Sequence, residues 1–278
     1  MKIHVLQCGS ICVDPTVPFG KRLDLLEAAK QLTAADKSRL TLPVFTYLIE
    51  HPKGLILVDT GWCREISPQG VYDSKAVSSV LPVHLAALFR PFIPAGMAIH
   101  EQLAAMGIQS EDLDYVVLTH LDPDHVSGLR HVSKAKHIIV PEDEYFWSCR
   151  TVFKSRQPQN LWLPYILERP YYRGSPLGPN HWAIDLFGDE SIQLINVPGH
   201  TDGQAAILIQ GSGCFTLLAA DAAFSSRNWQ EMIVPGFGFA REWQRKSLCW
   251  IAEMAADPSC AAVLCSHDPD VRPGVITI

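Results

Sequence analysis

The sequence predicts one α/β domain built on two β-sheets. Three observations carry this. Apolar runs of strand length, each closed by Gly, Pro or Asp, recur along the chain. They come in meandering groups, with helical stretches after each group. No internal repeat, low-complexity tract or Pro/Ser linker divides the 278 residues, so a single domain is expected over 1–278. Such a length buries a large core without disulfides or structural metals. The hydrophobic fraction of 47% excludes intrinsic disorder. The net charge of -6 argues against a broad nucleic-acid-binding face. There is no apolar run of about 18 residues, so no membrane insertion is expected.

Lys2 to Gln7 alternates as a first strand. Leu23 to Ala35 has helical spacing, with a loop as the alternative. Val44 to Glu50 and Leu55 to Val58 flank His51-Pro52-Lys53-Gly54 and predict a hairpin. The second of these strands ends in Asp59-Thr60-Gly61. Residues 77 to 98 form an apolar insertion, which Pro82, Pro91 and Pro94 break into short helices. Ile99 to Met106 predicts a helix capped by Gly107. Tyr115 to Leu118 and His137 to Val140 are short buried strands, and Pro141 then opens a helix with an acidic first turn. Residues 157 to 182, with five prolines, predict a long loop that either lines a substrate site or is only surface. Strands resume at Ala183 to Phe187, Ser191 to Val197, Ala205 to Gln210 and Cys214 to Ala219. Glu242 to Ala256 is an amphipathic helix and Ala261 to Cys265 a last strand. Met1 to Ser10 lacks the apolar run of a signal peptide. The eight cysteines form no C-x-x-C pair. Reduced, mostly buried thiols and a cytoplasmic location are expected.

The chemistry concentrates after one strand. Thr119-His120-Leu121-Asp122-Pro123-Asp124-His125 brings two imidazoles and two carboxylates together within six residues. Such a cluster is costly to bury unless its groups are paired or bind a metal. Imidazole with carboxylate is a ligand set for Zn, Fe and Mn. A solvated charged turn is the competing reading. The same grammar, an apolar strand followed by a metal-capable side chain, recurs at His200, Asp221 and His267.

In their order along the chain these segments resemble the metallo-β-lactamase superfamily. The matching motifs are Val58-Asp59-Thr60-Gly61, the His120 cluster, Pro198-Gly199-His200-Thr201, Asp221 and Ser266-His267. The resemblance implies an αββα sandwich of two mixed β-sheets flanked by helices, with a dinuclear metal site at one edge. Within the superfamily the chain is most similar to the N-acyl-homoserine lactonases, through Thr41 to Leu48, the insertion near 77–98 and Ser266-His267-Asp268. It implies that His120, Asp122 and His200 hold one divalent ion and that Asp124, His125 and His267 hold a second. Asp221 would bridge the two. Asp59 would orient a ligand, or alternatively cap the turn at Gly61.

Two positions depart from the family pattern. Asp122 stands where the common motif has His; a Glu occupies this place in the family's di-iron branch. With Asp122 as ligand, three carboxylates and a bridging hydroxide balance two divalent ions; the alternative is that Asp122 does not ligate and the first ion is weakly held. A neutral site of this kind favours Mn or Fe over Zn. Phe224 stands three residues after Asp221, where the lactonases carry a Tyr that steadies the substrate carbonyl. Losing such a donor costs on the order of a hundredfold in rate.

The other histidines, His4, His51, His84, His100, His131, His137 and His181, have no ligand spacing. Arg150, Lys154, Arg156, Arg169 and Arg173 form a local basic cluster, either a solvated face or a grip on a substrate carboxylate. The resemblance implies a hydrolase for a small-molecule lactone or related ester, with Asp124 passing a proton to the leaving group. Leu81 to Ile93 would line a pocket for an apolar tail; plain core and a homodimer contact are the other readings. A thioesterase or phosphodiesterase of the same superfamily is the alternative activity, and a metal-bound, catalytically silent binding protein is the alternative class.

Overall fold

The computed structural model describes residues 1–20, 39–150 and 154–278. The helical stretch expected at Leu23 to Ala35 lies outside the described residues. β1 (Lys2–Val13), β2 (Leu40–His51) and β3 (Gly54–Val58) form an antiparallel meander. β4 (Tyr115–Val117) and β5 (His137–Ile139) continue that sheet in parallel. The second sheet runs through β6 (Arg173–Gly174), β7 (Trp182–Asp185), β8 (Ile192–Asn196), β9 (Ala205–Gln210) and β10 (Phe215–Ala220) to β11 (Cys260–Cys265). β11 pairs in parallel with β10, and the other neighbours in this sheet are antiparallel. β12 (Gly274–Thr277) returns to pair with β1. The result is two six-stranded mixed sheets.

Side-chain alternation explains the layering. Ile3, Val5, Phe45, Tyr47 and Ile49 point between the sheets, where they meet Ile192, Leu194, Ile207 and Ile209. The opposite face of β2 presents Val44 and Leu48 to a second core with Leu85, Phe89, Leu103 and Val116. β2 is therefore covered on both faces, and its sequence reads as a nearly continuous apolar run. On the far side of the second sheet, Leu248, Trp250 and Ile251 of the helix Arg241–Ala256 pack on Leu208, Leu217 and Ala219. Helix, sheet, sheet and helix stack as expected. The family expectation for the fold holds.

The insertion forms the short helices Ser74–Val80 and Val83–Phe89. Leu81, Leu85, Phe89 and Ile93 lie in the core under the first sheet, so here the plain-core reading describes them. β1 runs on to Val13, past the expected Gln7, because a register shift between Gln7 and Ser10 resets its pairing with β2. Gly9, at φ 108, sits in that irregularity. β12 is short and half exposed, with only weak apolar periodicity, and the sequence reading missed it. All eight cysteines are free; Cys8, Cys63 and Cys265 are buried, the others only partly or not at all. No helix of the described residues is long and apolar enough to cross a membrane.

Two glycines let the loops at the functional edge close on their neighbours. A Cβ on Gly128 would lie 2.2 Å from the carbonyl oxygen of Thr60. Gly199 has φ 133, and a Cβ there would lie 2.3 Å from the Gln244 backbone. Gly199→Ala is expected to cost about 1–3 kcal/mol of stability, through backbone strain and displacement of the helix that carries Gln244. Chemical denaturation of the two proteins measures this; an unchanged midpoint would refute the close approach.

Candidate metal centre

The strand ends decide where the chemistry sits. β3 and β4 run in parallel, so Asp59 and His120 leave the same edge of the first sheet. β10 and β11 are also parallel, and they deliver Asp221 and His267 to one edge of the second sheet. Pro123 opens the short helix Pro123–Val126, which turns Asp124 and His125 back toward that edge. Ala220 holds φ 47 and Asp59 φ 59, left-handed conformations that L residues avoid. Such strain persists only where surrounding contacts over-determine it.

The expected donors converge in one buried cluster. His120, His125, His200, His267, Asp122, Asp124 and Asp221 are each at most 4% exposed. His120, Asp122 and His200 form one group of adjacent donor atoms, and Asp124, His125 and His267 form another. Asp221 reaches both, with Oδ2 3.5 Å from His200 Nε2 and 3.2 Å from His267 Nε2, and Oδ1 3.2 Å from His125 Nε2. Asp124 Oδ2 lies 3.4 Å from His267 Nε2. Donors about 2.1 Å from a tetrahedral metal stand about 3.4 Å apart, so these separations fit.

Each imidazole is held by its other nitrogen. His125 Nδ1 donates to Asp59 Oδ2 at 2.8 Å, and His120 Nδ1 to Thr119 Oγ1 at 3.0 Å. His200 Nδ1 donates to the Phe237 carbonyl at 3.1 Å, and His267 Nδ1 to the Pro43 carbonyl at 2.8 Å. All four Nε2 lone pairs are thereby turned inward, the arrangement metal-binding histidines need. Nε2 of His120, His125 and His267 and Oδ1 of Asp221 are buried with no hydrogen-bond partner. Orphaned buried donors on this scale are costly in an empty protein and are satisfied by a cation. Asp59 contacts His125 and also accepts from Thr119 N and Oγ1, each at 2.8 Å.

Three residues not among the expected donors adjoin the cluster. Arg156 donates to Asp122 from Nε at 3.0 Å and Nη2 at 2.7 Å, and from Nη1 to the His200 carbonyl at 3.0 Å. Gln157 Nε2 donates to Asp122 Oδ1 at 2.9 Å and to Glu144 Oε1 at 2.8 Å. Glu144 is fully buried and also accepts from Leu121 N at 3.0 Å and Thr201 Oγ1 at 2.6 Å. The charge count expected from sequence left out Arg156, whose guanidinium pairs with Asp122. The expected basic cluster does not exist as one face. Arg156 points inward, Arg169 lies over the Tyr145 ring at 4.5 Å, and Arg173 over Tyr171 at 5.0 Å.

Electrostatics follow from burial. Burial alone would raise the Asp122 carboxyl, but the Arg156 guanidinium beside it holds it well below the usual carboxylate range. Burial pushes Asp124 up. Burial also raises Glu144, to about 7, against the hydrogen bonds that favour its charged form. Phe224 is buried, with its ring stacked on His267 at 5.0 Å and edge-on to His200 at 6.0 Å. None of the other seven histidines joins the cluster. His84 pairs with the Ser155 carbonyl, His4 with Glu50, His131 with Glu65 and His137 with Glu168. His51 bonds Ser191, His181 stays exposed near the Pro176 carbonyl, and His100 stacks on His131.

Two outcomes are expected. Asp59→Asn should weaken metal binding about 10- to 100-fold, because His125 loses its anionic anchor. Competition against a chromophoric chelator reads this directly. Glu144→Gln removes the charge and can keep the two Oε1 contacts, with its Nε2 donating to Thr201 Oγ1 in place of the bond accepted there. A carboxyl raised in the folded state binds more protons there than when unfolded, so stability falls as pH rises from about 4.5 to about 7. The Gln variant should lose that slope and gain on the order of 1 kcal/mol over the parent at pH 8. Unfolding curves at pH 5 and 8 check it, and parallel pH profiles would refute it.

The metallo-beta-lactamase superfamily profile matches residues 39–248. The N-acyl homoserine lactonase AttM of Azorhizobium caulinodans is 27% identical over 237 residues, 84% of each chain. The N-acyl homoserine lactonase AiiA of Bacillus thuringiensis subsp. kurstaki is 27% identical over 222 residues, 77% of each. The solved structure of an N-acyl homoserine lactone hydrolase with its product N-hexanoyl-L-homoserine superposes with a TM-score of 0.74 at 21% identity, covering 97% of this chain and 94% of that one. The dizinc quorum-quenching lactonase AidC superposes with a TM-score of 0.63 at 18% identity, covering 98% and 88%. These structural likenesses establish the shared fold. The profile match spans well over half of the sequence and includes the His120 cluster, His200 and Asp221, and on that ground the chain belongs to the metallo-beta-lactamase superfamily.

Proposed function

We propose that the protein is a metal-dependent hydrolase that opens a lactone or cleaves a related ester. The observation that carries this is the convergence of four inward-facing Nε2 atoms and three carboxylates in one buried cluster. His120, Asp122 and His200 would hold one divalent ion, Asp124, His125 and His267 the other, with Asp221 between them. When bound, the two ions supply carbonyl polarisation and an activated water. The donor chemistry suits Zn, and also Mn or Fe.

The chain's own residues supply the rest. Asp124, 3.4 Å from His267 Nε2 at the cluster, is placed to carry a proton to the departing alkoxide oxygen. Phe224 and Phe237 place apolar rings against His200 and His267. Phe237 packs edge-on against Phe89 of the insertion at 5.6 Å. This aromatic path joins the metal cluster to the core under the first sheet. The names of the relatives, N-acyl homoserine lactonases, support the lactone reading. A small-molecule substrate in the cytoplasm completes the proposal.

Protein stripped of metal and reloaded with Zn or Mn should hydrolyse a long-chain acyl-homoserine lactone faster than a thioester or a phosphodiester. Activity should vanish with chelator and return with metal. A faster thioester or phosphodiester reaction would move the assignment elsewhere in the superfamily. Two bound ions with no activity on any of the three would indicate a binding protein. Phe224→Tyr adds a hydroxyl to a ring already stacked on His267. It should raise lactone turnover about ten- to a hundredfold at equal metal content if that hydroxyl reaches the developing oxyanion. No gain over a nearly inactive parent would point to a different ester.

A further inference from the structure

Asp122 occupies a position where the common family motif has a neutral imidazole, yet its carboxylate does not act as a free anion. Arg156 Nε spans both oxygens, at 3.0 Å from Oδ1 and 3.1 Å from Oδ2, and Nη2 lies 2.7 Å from Oδ2. Gln157 Nε2 holds Oδ1 at 2.9 Å. The guanidinium is itself fixed by the His200 carbonyl at 3.0 Å, and it lies over the Phe237 ring at 4.4 Å and the Trp147 ring at 5.6 Å. Its side chain is 15% exposed. Asp122 Oδ2 still faces His200 Nε2 at 3.1 Å and His120 Nε2 at 3.8 Å. Two carboxylate oxygens offer about four acceptor directions. Three N–H groups of Arg156 and Gln157, the Arg156 Nε–H shared between both oxygens, use three of them, and Oδ2 also lies within reach of the two imidazoles.

We propose that Asp122 and Arg156 act as one neutral composite ligand for the first metal ion. The carboxylate supplies the donor atom, the guanidinium removes its charge, and the pair matches the charge of the histidine it replaces. Arg156 is a positioning residue: it touches the ligand and not the substrate. The inference rests on the ligand assignment proposed above and adds that the two side chains are useful only together. Asp122→His alone leaves a mostly buried cation beside a metal ion with no carboxylate between them. Asp122→His combined with Arg156→Met leaves a plain neutral imidazole.

The test is a double-mutant cycle read as metal content and affinity by chelator competition on the full chain. The parent should bind two ions. Asp122→His should lose the first ion or bind it on the order of 10- to 100-fold more weakly. Adding Arg156→Met should restore most of that loss. The melting temperature of the metal-free protein should fall by roughly 5 °C in Arg156→Met, which strands the buried carboxylate. Should Asp122→His fail to fold, Arg156→Lys against Arg156→Met decides. Arg156→Lys keeps the charge and should keep the parent's balance between Zn and Mn, whereas Arg156→Met should shift it about tenfold toward Mn by exposing a harder, anionic ligand. Equal binding of the first ion by Asp122→His with and without Arg156→Met, or equal Zn/Mn balance in the two Arg156 variants, would overturn the composite ligand. A parent that binds no metal at any loading would overturn the ligand assignment itself, and the composite ligand with it.

Discussion

Seven ionisable side chains share one buried cluster, and the surrounding structure answers to that constraint. Packed without a counter-ion, three carboxylates and four imidazoles at separations of 3.1 to 3.9 Å would destabilise the fold. The loops around the cluster are accordingly tightly constrained. Gly199 and Gly128 sit where no Cβ fits, and Ala220 and Asp59 hold left-handed backbone. Every imidazole is fixed through Nδ1 by a different element: Asp59 after β3, Thr119 after β4, Pro43 in β2, and Phe237 in the loop before the last long helix. Both sheets must therefore be in place before the pocket is.

A second ring of polar groups surrounds the first. Glu144, Gln157, Arg156 and Thr201 form a buried network whose members each reach a donor or the residue beside one. It ties the helix Glu142–Cys149 and the start of the long 157–182 segment to the metal side of the sandwich. The segment is mostly irregular, with one short 3-10 turn at Gln159–Leu161 and the two-residue β6. Its origin is nonetheless pinned, because Gln157 spends both ends of its amide on Asp122, Glu144 and Ser148. The reading of this stretch as mere surface fails at that end.

Much of the fold was legible because strand pairing here follows local signals. The hairpin at His51 to Gly54, the proline-broken insertion and the strands leading to His120, Asp221 and His267 all emerge from alternation and turn chemistry. β12 did not, since an edge strand half exposed to solvent has little apolar pattern to show. The register shift in β1 also escaped notice, because it depends on how β2 lies beside it.

The same division holds at the metal cluster. By itself the sequence marked the candidate donors, because each follows an apolar strand and carries a side chain with a lone pair for a cation, and it is these residues that the fold brings together. It also marked Asp122 and Phe224 as departures. Only the tertiary structure decided what the departure at Asp122 means. Arg156 lies 34 positions away in the chain, within a run of basic residues indistinguishable from a solvated face. Glu144 lies in an acidic helical turn where charge is ordinary. No periodicity links these residues to a metal ligand. Their partnership exists because burial leaves a carboxylate no water to face, and the folded chain supplies the neighbours in its place.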